Sequence, residues 1–168
     1  DVELADMNGD DYPDFITIHG FSGQGEVSLT LFNGSTNAVR QDDDIPVYRW
    51  NFGQGRTSLR SLRVGDFFDR NENVIIVSDA WNDATEITYD SVNRQLNSNI
   101  QKFRNLTAAS VAGDFDGDGD IDFLTTKETE SVIIINNQSS WNQVGILDVL
   151  DATNATIADF NNDGAVSL

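Results

Sequence analysis

The sequence predicts an all-β chain built from repeated units of four antiparallel strands. Three observations carry this. An acidic stretch recurs, beginning at Asp6, Asp66, Asp114 and Asp159. Each copy follows a short apolar run ("VELA", "LRVG", "SVAG", "TIA"), and each complete copy leads into another ("FITIHG", "VIIVSD", "FLTTK"). No long stretch has helical periodicity, whereas "EVSLTLF" alternates apolar and polar residues with the period of a half-buried strand.

The remaining segments fit the same unit. "NVIIVS" and "SVIIIN" are short, continuous, β-branched runs, as expected of strands covered on both faces. Turn signals such as "NGS" at Asn33 and "GQG" at Gly23 and Gly53 separate the runs. A repeat of this length holding about four strands is the size of a β-propeller blade. Blades stack face to face, which explains strands that are apolar on both sides. The expected blades are 1–58, 59–106 and 107–152, with 153–168 beginning a fourth. A ring needs about four to eight blades. The 168 residues are therefore expected to be a partial β-propeller, completed by further chain or by other copies.

Composition narrows the function. The net charge is −18, which argues against nucleic acid and anionic membrane surfaces as partners. The acid is 22 Asp against 6 Glu, and aspartate favours turns and caps, so the charge belongs to loops. The chain has no cysteine, which excludes disulfides, zinc thiolates and thiol catalysis. No apolar run is long enough to span a membrane.

The acidic stretches are candidate calcium loops. Residues Asp114 to Asp122 read "DFDGDGDID", with aspartate at every second position. Like charges so close repel and raise one another's pKa unless a cation compensates them. Asp114, Asp116, Asp118 and Asp122 occupy positions 1, 3, 5 and 9, as do Asp6, Asn8, Asp10 and Asp14. Asp159, Asn161 and Asp163 repeat the first three positions, with Ser167 at the ninth. Calcium takes about six to eight hard oxygen ligands. Alternate side chains of a tight loop supply them, and a position-seven carbonyl (Tyr12, Asp120 or Ala165) adds another. This gives two Ca²⁺ sites and a third in the last loop. An EF-hand is excluded for the first and third loops, because position 12 is Thr17 or Thr125 in a strand pattern rather than a bidentate Glu. The second loop, "DFFDRNENV", has Phe68 and Arg70 where ligands belong. It is expected to have lost its metal, with Arg70 supplying positive charge to Asp66 or Asp69.

At these residues the chain resembles the FG-GAP/VCBS repeat family, which includes the integrin α-subunit head and T-cell immunomodulatory protein-like surface proteins. "DMNGDDYPD" and "DFDGDGDID" resemble its D-x-N-G-D-G-x-x-D signature. The resemblance implies a β-propeller with calcium in its blade hairpins. It differs in the degenerate second loop and in lacking "FG…GAP" strand signatures.

Sequons stand at Asn33, Asn105, Asn137 and Asn154, positions for glycans in a secreted chain. His19, the one histidine, has no catalytic motif around it and reads as a strand-end packing residue. Arg56, Arg60 and Arg63 read as surface partners of loop aspartates, and Trp50, Trp81 and Trp141 as packing residues rather than sugar platforms. The functional expectation is an extracellular, calcium-stabilised, non-catalytic adhesion, recognition or structural glycoprotein. Its partners would be a protein or glycan ligand, or other copies joined through open blade edges. The alternatives are an accessory propeller of a secreted carbohydrate- or lipid-acting enzyme, or a lectin module.

Overall fold

A computed structural model describes residues 1–21, 24–32, 47–54, 59–79, 83–104, 109–127, 130–137 and 141–147. These form twelve strands and, among the described residues, no helix. The first sheet contains β1 (Val2–Ala5), β2 (Asp14–Phe21), β3 (Gln24–Thr30) and β4 (Val47–Gln54). The second contains β5 (Leu59–Gly65), β6 (Val74–Asp79), β7 (Asp83–Asp90) and β8 (Gln95–Arg104). The third contains β9 (Ala109–Gly113), β10 (Asp122–Lys127), β11 (Glu130–Asn136) and β12 (Trp141–Leu147). Each is an antiparallel meander with its strands in chain order. All-β architecture from four-stranded antiparallel units is therefore what the described residues form. The fourth acidic loop, with Asp159, Asn161 and Asp163, lies outside the described residues.

Side-chain alternation explains how the sheets stack. On β6, Ile75 and Val77 enter a core with Ile16, Val27 and Leu29 of the first sheet. Val74 and Ile76, on the opposite face, enter a second core with Phe123, Val132 and Ile134 of the third. The second sheet is thus covered on both sides, which is why "VIIV" is continuously apolar. Burying each such side chain contributes about 1.5–3 kcal/mol. In the second core the rings of Phe67 and Phe123 stack at 5.1 Å, and Trp141 lies 5.3 Å from Phe123.

Polar links tie the sheets at the loop end. Asn73 Nδ2 donates to the carbonyl of Asp6 at 2.8 Å. Asn136 Nδ2 donates to the carbonyl of Phe67. Arg63 on β5 bonds Asp1 at 3.3 Å and Glu3 at 3.2 Å, residues that flank and occupy β1. Trp50 and Trp141 pack against the cores, while Trp81 lies outside the described residues. His19 is not a packing residue: it is exposed, and its ring bonds the Thr17 hydroxyl at 2.8 Å.

Candidate metal centre

Each acidic loop joins the first two strands of its sheet, and all three share one backbone path. Position 4 has positive φ in every loop: Gly9 at 77°, Asp69 at 48° and Gly117 at 81°. So does position 6: Asp11 at 66°, Asn71 at 54° and Gly119 at 94°. These left-handed residues fold the chain inward around the carboxylate at position 1. Asp6 accepts from the backbone N–H of Gly9 at 2.7 Å and of Asp11 at 2.7 Å. Asp66 accepts from Arg70 at 2.9 Å and Asn71 at 2.6 Å. Asp114 accepts from Gly117 at 2.6 Å and Gly119 at 3.0 Å. Turn chemistry alone thus specifies the loop, with aspartate as the local hydrogen-bond hub.

The carboxylate at position 9 does a second job that sequence reasoning missed. Asp14 accepts from Met7 N–H at 2.9 Å and from Phe32 N–H at 2.8 Å. Asp122 accepts from Phe115 N–H at 2.7 Å and from Asn136 N–H at 2.8 Å. Each therefore clamps the start of its loop to the end of the third strand of its sheet. Both are fully buried. In the second loop this position is Val74, which joins the core instead.

The third loop brings three candidate ligands together. Single carboxylate oxygens of Asp114, Asp116 and Asp122 lie within 4.8 Å of one another. Asp118 is exposed and turns an oxygen to the N–H of Asp120 at 2.9 Å. The side chain of Asp120 is buried. Burial pushes the Asp122 carboxyl above its ordinary range, and the charges of Asp116 and Asp118 add to this, against the two backbone bonds that lower it. A buried carboxylate among like charges is a site that a hard cation stabilises.

The first loop is arranged differently. Its carboxylates do not converge as the third loop's do, among the described residues. Asn8 Nδ2 donates to Asp10 at 3.2 Å, while Asn8 Oδ1 accepts from Asp10 N–H at 3.0 Å. Tyr12 N–H donates to Asp10 at 3.0 Å. Burial and the charges of Asp10 and Asp6 leave Asp14 raised, although Phe32 and Met7 bond it. For Asp6, burial raises the carboxyl, but four backbone N–H bonds outweigh it and hold the group low.

The second loop carries a fixed cation, but its side chain is not paired as the sequence suggested. The Arg70 guanidinium bonds Glu86 of β7 at 3.1 Å and lies 4.3 Å over the ring of Phe68, whereas the Arg70 contact with Asp66 runs through the backbone N–H. No feature of the sequence around Glu86 marks it as this partner. Of the sequons, Asn137 is exposed just after β11; Asn33, Asn105 and Asn154 lie outside the described residues.

The donor set Asp114, Asp116 and Asp122 is all hard carboxylate oxygen, which fits an alkaline-earth ion and not a soft metal. No family model, curated protein or solved structure matches this chain.

Proposed function

We propose that the chain is a calcium-stabilised, extracellular β-propeller module of the FG-GAP/VCBS type, acting without catalysis in adhesion, recognition or structure. The observation that carries this reading is the convergence of Asp114, Asp116 and Asp122 on one hairpin loop. Calcium bound there would neutralise the cluster and brace the β9–β10 connection. Asp6, Asn8, Asp10 and Asp14 would form a second site after their oxygens turn from the backbone, with the Tyr12 and Asp120 carbonyls completing the cages.

The chemistry of the site favours an extracellular setting. Asp116 is exposed, and Asp114 and Asp122 already accept backbone bonds, so binding is expected to be weak. Extracellular modules work with Kd values of about 10⁻⁴–10⁻³ M. At twenty times Kd, calcium adds about 1.8 kcal/mol to stability. The exposed sequon at Asn137 suits a glycoprotein. Protein or glycan ligands would contact the connecting loops, which vary on a rigid scaffold. The net charge of −18 speaks against nucleic acid.

The test is calorimetric calcium titration with paired thermal melts in calcium and in chelator. Saturable binding and a lower melting temperature in chelator support the reading. No heat and identical melts would leave the aspartates as turn residues only and sink it.

A further inference from the structure

Tyr48 on β4 and Tyr89 on β7 meet where the first two sheets join. Their ring centres lie 5.1 Å apart, with the ring planes tilted by 52°. Both rings lie against the core that these sheets share, and both are half-buried. Burial pushes the Tyr89 hydroxyl up to about 12, and the neighbouring Tyr48 hydroxyl adds to this, so the two hydroxyls stand side by side. The place is a recurring joint of the fold. Ile75 and Phe123 each follow position 9 of their loop, and they pair with Ile87 and Ile134. Two residues beyond these partners stand Tyr89 and Asn136. Asn136 reaches back to the Phe67 carbonyl of the second sheet's loop, and Tyr89 reaches back to Tyr48 of the first sheet. One joint is an amide hydrogen bond. The other is a pair of oxidisable phenols.

We propose that Tyr48 and Tyr89 form an oxidative cross-linking site, at which a dityrosine bond staples the first sheet to the second. Three features select this pair. Phenoxyl radicals couple at the carbon ortho to the oxygen, and adjacent hydroxyls set those carbons of the two rings beside each other. The tilt of 52° suits the product, whose rings are twisted about the new carbon–carbon bond because coplanar ortho groups would clash. The chain has three tyrosines and no cysteine, so an oxidative staple between its sheets has phenols to use and no thiols.

The step balances with a haem peroxidase and hydrogen peroxide as the oxidant. Each phenol gives up one electron, and its hydroxyl proton leaves with it. The two radicals join, ortho carbon to ortho carbon. Each joined carbon then loses its hydrogen as a proton to the ring oxygen, which restores two phenols. The two electrons and two hydroxyl protons turn one hydrogen peroxide into two waters. The bond closes a loop from residue 48 to residue 89 and so restricts the unfolded chain. It needs no metal and stands or falls independently of the calcium reading.

The experiment treats the 168-residue chain, in chelator, with a haem peroxidase and dilute hydrogen peroxide, and then separates monomer from dimer under denaturing conditions. The monomer is expected to gain dityrosine fluorescence and to lose the mass of two hydrogen atoms. Trypsin should then release residues 41–49 joined to residues 71–94, since Arg40, Arg49, Arg70 and Arg94 bound these peptides. The linked monomer should melt at a higher temperature than the untreated chain. Tyr48→Phe and Tyr89→Phe keep the rings, and each should abolish the monomer's fluorescence. Circular dichroism identifies a variant that fails to fold, and the other then decides. A monomer without dityrosine overturns the proposal. So does a link through the peptide that carries Tyr12, or monomer fluorescence that survives in a folded variant.

Discussion

Arg70 reaches from the second acidic loop to Glu86 on β7, placing a guanidinium nitrogen 3.1 Å from a carboxylate that is 1% exposed. The other Glu86 oxygen, Oε2, has no hydrogen-bond partner among the described residues. Burial pushes the Glu86 carboxyl up, and Arg70 opposes that shift. At the matching register positions the other sheets carry Leu29, opposite Ile16, and Ile133, opposite Leu124. Arg70→Ala would strand a buried carboxylate and is expected to cost about 2 kcal/mol, below the usual figure for a buried pair because Arg70 is partly exposed. Glu86→Leu, which restores the apolar pattern, is expected to be neutral or stabilising. Chemical denaturation of both variants checks the pair of outcomes.

The two kinds of carboxylate in the third loop are separable. Asp116→Asn keeps an acceptor for Asp118 N–H but removes a charge from the cluster. It should weaken calcium binding by about tenfold or more and leave the melt in chelator within about 0.5 kcal/mol of the parent. Asp122→Ala strands the N–H groups of Phe115 and Asn136. It should cost about 2–4 kcal/mol even without metal. Titration calorimetry and melts in chelator distinguish the two.

The pH dependence has a definite sign. Asp14 and Asp122 have carboxyls raised above the ordinary 3.8, mainly by burial. Between 3.8 and the raised values the folded state binds more protons than the unfolded one. Their contribution to metal-free stability is therefore fully present below that window and is lost as pH rises through it. Asp6, whose carboxyl is lowered, acts oppositely: its contribution is present above 3.8 and is lost as pH falls through the lowered value. Calcium needs ionised ligands. The gap between melting temperatures in calcium and in chelator should shrink as pH falls from about 7 to about 4. A gap constant across that range counts against Asp122 as a ligand.

Asp11 sits at φ 66° where the third loop has Gly119 at 94°. Asp11→Gly removes a side chain from a left-handed position and is expected to stabilise the fold by about 0.5–1 kcal/mol. A lowered denaturation midpoint would mean that the Asp11 side chain contributes more than its backbone strain costs.

Much of the architecture was legible because strands announce themselves locally. "VELA" is β1, and the continuous runs at 74–77 and 132–135 lie within β6 and β11. The repeated aspartates marked the loops because their backbone needs are local too. The partners were not legible. Glu86 lies 16 residues from Arg70, and Phe32 lies 18 residues from Asp14. Only the register of the ladders brings them together. Position 9 also suggested a ligand alone, because a clamp to the third strand leaves no mark on the sequence around it.

The coverage of β6 on both faces bears on how the molecule opens. Val74, Ile75, Ile76 and Val77 have neighbouring sheets on either side, so no step short of separating both cores frees their backbone. Their amide protons should exchange with deuterium last, at a rate set by global opening, while β12, an edge strand of the third sheet, exchanges early. Protection should decline from the centre of the stack outward, and the middle sheet is the natural place for folding to begin.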